Sequence, residues 1–163
     1  GYNPMEGTSK PEFSLMDAVL KGKVEIIQQY ISIGTKLDEL DPKSGSTALI
    51  AAATFGQTEA ALMLIESGAD LEVQNNEGST ALITAAFFCR TEIVKALLGK
   101  GAERGAKNNA GATALDSVAG PFDEIKPVYD LLQGILGPAG LKLDYQRIEA
   151  TRPKIAEILK HEK

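Results

Sequence analysis

Few side chains in this sequence offer chemistry, and they are scattered. Cys89 stands directly before Arg90, a cation that would favour the thiolate and hence a nucleophilic or redox thiol. Carboxylates gather as Glu6/Glu12, Asp38/Glu39/Asp41 and Asp123/Glu124, residue types suited to acid–base work or, in a loop, to Ca²⁺. Phe55, Phe87 and Phe88 are of the type that anchors protein interfaces. The thiol and the acids lack the partners their chemistry needs. The only histidine, His161, lies in a charged tail, so no Ser-His-Asp arrangement can rest on it. One Cys with one His excludes a His/Cys zinc site and an intrachain disulfide. No GxGxxG or Walker-type glycine string offers a phosphate cradle, and no EF-hand spacing organises the acids. We therefore expect no catalytic residue, no metal and no cofactor.

Whatever positions these residues must be one domain, two at most, because the chain has 163 residues. Apolar residues make up 44%, enough for a core and too many for a disordered chain. Aromatics are 6% with no Trp, so that core is built from Ala, Leu, Ile and Val. Seventeen Lys and Arg against 22 Asp and Glu leave a net charge of -5, which argues against nucleic acid or an anionic membrane surface as the partner. No apolar run approaches the ~20 residues of a membrane span.

The organising signal is a repeat. Gly45-Ser46-Thr47-Ala48-Leu49 recurs as Gly78-Ser79-Thr80-Ala81-Leu82 and as Gly111-Ala112-Thr113-Ala114-Leu115, 33 residues apart each time. Glu66-Ser67-Gly68-Ala69-Asp70 and Gly99-Lys100-Gly101-Ala102-Glu103 keep the same period. A weaker copy precedes them, with Gly22, Glu25 and Gly34 each 34 residues before Gly56, Glu59 and Gly68. Each unit reads as two short helices. Thr47, Thr80 and Thr113 follow a Gly turn and precede an apolar run, as N-caps do. The first helix is Ala-rich. The second carries a stripe: Ile26, Ile27, Tyr30 and Ile31; then Ala60, Ala61, Leu64 and Ile65; then Ile93, Val94, Leu97 and Leu98; and in the last unit Val128, Leu131 and Leu132. Gly34, Gly68 and Gly101 stop those helices. One such pair cannot bury its apolar face alone, whereas stacked copies bury a continuous core.

This pattern resembles the ankyrin repeat, a unit of a hairpin-like turn and two antiparallel helices, over roughly Leu15 to Leu132. It departs from that family's Thr-Pro-Leu-His string, which stands here as Thr-Ala-Leu-Ile at 47–50 and 80–83 and Thr-Ala-Leu-Asp at 113–116. Variants of this kind look like bacterial ankyrin proteins. The resemblance implies an all-α solenoid of about four helix–turn–helix units and a binding module, not an enzyme. The partner is then a protein held on the concave side by turn tips and exposed ends of first helices. Carried over by position, the tips are Lys43, Ser44 and Ser46; Asn76, Glu77 and Ser79; and Asn109 with Ala110 and Ala112. The helix ends are Thr54 and Phe55, then Phe87 and Phe88. Four units ~10 Å apart give a surface ~40 Å long, room for about 800 Å² per partner.

Each of these residues also has a structural reading. We assign Phe55, Phe87 and Phe88 to the binding face, with burial between units as the competing reading; Phe55 and Phe88 occupy equivalent positions. Cys89 stands where Gly22 and Gly56 stand, at a position that wants φ > 0, and reads as a tolerated small residue rather than a reactive one. Glu59 and Glu92 complement helix N-termini, Asp38 to Asp41 form a solvated tip, and Asn75-Asn76 and Asn108-Asn109 suit turns.

The ends are atypical. We expect a mobile segment over 1–10, helix from near Pro11, the repeat domain over 11–137, and a C-terminal cap over 138–163 whose helix runs from Ala150 with Pro153 in its first turn. A monomer is expected, the alternatives being self-association through an apolar patch on the C-terminal helix or a redox role for Cys89. Gly1 reads as a tag remnant. If a leader has been removed, an exported, periplasmic origin is expected; otherwise the cytoplasm is equally compatible.

Overall fold

The structure, a computed structural model, describes residues 13–161. The mobile segment expected over 1–10 and the helix start expected near Pro11 lie outside them. The described residues are all-helical: α1 (Leu15–Leu20), α2 (Val24–Ser32), α3 (Ala48–Phe55), α4 (Thr58–Glu66), α5 (Ala81–Phe87), α6 (Thr91–Gly99), a 3-10 turn at Asp116–Val118, α7 (Phe122–Leu136), a second 3-10 turn at Gly137–Ala139, and α8 (Tyr145–Lys160).

The repeated threonines begin the first helices. Thr47 and Thr80 are extended, and each Oγ1 accepts the N–H three residues on, from Ile50 and Ile83, at 3.2 Å. Ala48 through Ala53 and Ala81 through Ala86 are buried on every side. The stripes of α4 and α6 face inward, with Ala61, Leu64, Ile93, Val94 and Leu97 fully buried. Helices α1, α3 and α5 and the turn Asp116–Val118 stack into one row, and α2, α4 and α6 into a second row beside it. One apolar core runs through both rows. Burying each Leu, Ile or Val side chain there contributes about 1.5–3 kcal/mol.

Polar rungs tie each unit to the next. Gln57 Nε2 donates to Leu20 O at 3.2 Å, at the end of α1. Arg90, one repeat later, donates to Ala53 O at 3.1 Å and Thr54 O at 2.7 Å, at the end of α3. These carbonyls have no partner within their own helices, so the rungs satisfy groups whose burial would otherwise be costly. Gly56 is fixed twice over: its φ is +73°, and a Cβ there would meet the Arg90 guanidinium at 2.9 Å.

The fourth unit departs from expectation in two ways. Its first helix shrinks to the single 3-10 turn Asp116–Val118. Thr113 and Asp116 exchange bonds, N–H to Oδ2 at 2.9 Å and N–H to Oγ1 at 3.2 Å, so the start signal is intact. Ser117 Oγ then donates to Ala114 O at 2.6 Å, and Gly120-Pro121 end the run.

The second departure corrects the stripe read at Val128, Leu131 and Leu132. Val128 and Leu131 are 42% and 61% exposed, and Tyr129 is the one α7 side chain that is fully buried. The place beside α6 is filled by α8 instead. That helix starts at Tyr145, where Asp144 Oδ1 accepts Arg147 N–H at 3.1 Å, so it is longer than the helix expected from Ala150 and carries Pro153 in its middle. Ile148, Ile155 and Leu159 give it a buried face that continues the second row.

Arginines fasten α8. Arg147 Nη1 and Nη2 donate to Cys89 O at 2.6 Å and Phe88 O at 3.1 Å, taking the rung position after α5. Arg152, only 3% exposed, donates to Ser117 O, Ala119 O and Gly120 O and to Tyr129 Oη. From the stack side, Arg104 donates to Ile158 O at 3.2 Å and Leu159 O at 2.6 Å, at the end of α8.

Candidate protein-binding face

The turn tips repeat as closely as the helices. Asp41 N–H donates to Ser46 O at 2.8 Å, Asn75 N–H to Ser79 O at 3.0 Å, and Asn108 N–H to Ala112 O at 2.9 Å, closing three similar turns. Side chains brace them from inside. Asn75 Oδ1 accepts from Glu77 and Ser79 N–H, and Asn108 Oδ1 from Ala110 and Ala112 N–H, all at 3.0 Å. Asp41 Oδ2 does the same for Lys43 and Ser44 N–H, and these bonds hold its carboxyl below the usual carboxylate range.

The tips are also tied to one another. Asn76 N–H and Nδ2 donate to Ser44 O at 2.9 Å and Lys43 O at 2.8 Å. Asn109 N–H and Nδ2 donate to Glu77 O and Asn76 O, both at 2.9 Å. The amide groups of Asn76 and Asn109 are therefore spent on the frame. Lys43, Ser44, Glu77 and Ala110 are exposed, with Ser44 Oγ donating to Asp41 Oδ2 at 3.0 Å, and Ser46, Ser79 and Ala112 are half-buried beside them.

The ends of the first helices behave differently. Thr54 and Phe55 are half-buried, and Thr54 Oγ1 donates back to Ile50 O at 3.0 Å. Phe88 is 5% exposed, which corrects its expected place on an open face. Its ring lies against Phe87, centroids 5.0 Å apart, and under the Arg90 guanidinium at 5.7 Å. Phe87 stacks on Tyr129 at 4.4 Å, and Tyr129 in turn stacks on Phe122 at 6.0 Å. Tyr129 Oη donates to Phe87 O at 2.5 Å. Phe87 is the seat on which Tyr129 of α7 rests, and Phe88 packs against Phe87. Phe55, with no α7 against it, stays partly open, so the aligned positions do not make a continuous aromatic strip.

Cys89 has the backbone its position demands, φ +58°, the one non-Gly positive φ among the described residues. At the equivalent Gly56 an arginine presses on the backbone; at Cys89 the neighbour is α8, and the side chain fills the space, with Sγ 3.8 Å from Ile148 O. Arg90 points away from it, to α3. Burial pushes the thiol up to about 11, against the pull of Arg147, Arg152 and Arg90. The neighbouring cation therefore does not produce the thiolate that the sequence alone allows. Burial likewise pushes Tyr129 up to about 12.

Stacked helix pairs, bonded turn tips and a 33-residue period define one class of protein. Three copies of the ankyrin repeat family pattern match residues 15–116, and the chain belongs to the ankyrin repeat family. The match ends at Asp116, where the chain leaves the repeat geometry. Among solved structures, the crystal structure of the ankyrin repeat domain of Bcl-3, a unique member of the IkappaB protein family, is similar at a TM-score of 0.62 and 29% identity. The alignment covers 74% of this chain and 50% of that one, so the chain spans about half the length of that domain. No curated protein matches the chain.

Proposed function

We propose that this chain is a non-catalytic module that binds a partner protein along its row of turn tips. The carrying observation is the tip-to-tip bonding of Asn76 and Asn109, which holds successive tips in fixed register while Lys43, Ser44 and Glu77 stay exposed. A rigid row of this kind loses little conformational freedom on binding, so contacts made there convert efficiently into affinity. Ser46, Ser79, Thr54 and the open edge of Phe55 extend the face. Asn76 and Asn109 act on it as spacers. The fold supports this reading because ankyrin units present variable tips on a common frame; the partner's identity is set by the tips, not by the frame.

Capture from lysate with the wild-type chain and with Lys43→Glu/Glu77→Lys tests it. Both residues are exposed, so the variant should keep its melting temperature and lose the captured protein, with at least a ~10-fold rise in Kd in direct titration. Equal recovery by both baits would move the face off the tips.

A further inference from the structure

A cavity of about 640 Å³ lies between the shortened first helix of the fourth unit and α8. Leu115, Val118, Phe122 and Ala156 give it apolar walls, and Arg152 stands in the wall from α8. Arg152 is 3% exposed, yet every group it bonds is neutral. Among the described residues no carboxylate lies within 4.0 Å of it. A buried cation is ordinarily paired with an anion, because neutral acceptors return only part of the hydration it loses.

The guanidinium is well satisfied on one edge only. Nη1 donates to Ser117 O at 3.0 Å and to Tyr129 Oη at 3.1 Å. Nη2 makes the two longest bonds, 3.3 Å to Ala119 O and 3.4 Å to Gly120 O, and the buried Nε has no partner. Nε–H and one Nη2–H point the same way and form the fork that takes both oxygens of a carboxylate. The carbonyls sharing this edge belong to the exposed Ala119–Gly120 segment, which borders the cavity.

We propose that this cavity binds a small monocarboxylate with an apolar body. The carboxylate takes Nε and Nη2 in place of the two long bonds, as the Ala119–Gly120 segment gives way. The body lies against Leu115, Val118, Phe122 and Ala156, in a volume within the range of about 300–1,000 Å³ usual for ligand sites. The acids at the rim do not compete for the fork. Asp116 accepts Thr113 N–H at 2.9 Å, Glu157 faces Lys160 Nζ at 4.0 Å and His161 Nε2 at 3.7 Å, and Glu149 is exposed. They oppose a second negative charge, which selects a monocarboxylate over a phosphate dianion. A peptide C-terminus offers the same carboxylate, but its amides would lie unpaired against apolar walls.

Proton–nitrogen NMR of the purified chain, titrated with octanoate to about 10 mM, reads the site. Expected are saturable shifts at the Ala119 and Gly120 amides and at the Arg152 Nε–H. Octanamide, octylammonium and an acetylated tripeptide ending in Leu should each bind at least ~10-fold more weakly. Arg152→Gln should abolish the shifts at Ala119 and Gly120, with the melting temperature reporting its folding. Because that change also removes bonds that fasten α8, Ala156→Phe gives a second reading. It fills the cavity, leaves the guanidinium in place, and should weaken octanoate at least ~10-fold in a folded chain. No saturable shift, equal binding of octanamide, or unchanged affinity in Ala156→Phe would overturn the proposal. Tighter binding of octylammonium would assign the cavity to a cation, and tighter binding of the tripeptide would assign it to a chain terminus; either would overturn it equally.

Discussion

Cys89 illustrates how a residue's position outweighs its neighbours in sequence. Burial under α8 opposes ionisation and wins over three guanidiniums. A thiol held near 11 is about 100-fold less ionised at pH 8 than an ordinary one and is only 1% exposed, so iodoacetamide should label the folded chain at least about 100-fold more slowly than the chain in denaturant. Labelling at the free-thiol rate would contradict the burial. The linkage sign follows: because the folded-state value is raised, the thiol contributes stability that is fully present below the unfolded value and is lost as pH rises toward about 11. At this scale the sequence was informative where a residue acts locally. The period reveals Thr47 and Thr80 as caps and Cys89 as a positive-φ residue, because caps and φ preferences depend on a few adjacent residues. It does not reveal that Phe88 is buried and Phe55 half-open at equivalent positions, since that depends on what packs around each ring: Phe88 lies against Phe87, which is itself stacked on Tyr129 of α7, dozens of residues away.

Helices α7 and α8 show the limit at the next scale. Both carry an apolar stripe, and periodicity reports that a face is apolar, not which slot it fills. A usable clue does exist in Ile148, Arg152, Ile155 and Leu159, spaced four, three and four residues apart along one face. Arg152 interrupts that stripe by type, yet it is buried there because it satisfies the carbonyls of the Ser117–Gly120 turn. The exchange of roles is directly testable by truncation. Ile155→Ala removes a fully buried side chain and should cost about 2–5 kcal/mol, whereas Leu131→Ala should change stability by less than about 0.5 kcal/mol. Urea unfolding of the two variants gives the comparison; equal losses would return α7 to the core.

The whole molecule behaves as a row of neighbours, each unit stabilised chiefly by those beside it. Helices α3 to α6 have neighbours on both sides, while α2 lies at one end of its row and α7 contributes a single fully buried side chain. Native-state hydrogen exchange should accordingly find the slowest amides in α3 to α6, around Ala52, Ala85 and Val94, with α2 and α7 exchanging at least ~10-fold faster. Uniform protection would mean a single all-or-none unit. The seating of α8 over Cys89 carries a consequence for how such openings can be watched. The slot beside α6 is closed by a segment that must return across the whole of α7, so its closure is a long-loop event with its own entropy cost. Each time α8 lifts, the one thiol of the chain is uncovered. A pulse of fast alkylating reagent therefore records how often the end of the stack comes undone, with no residue substituted.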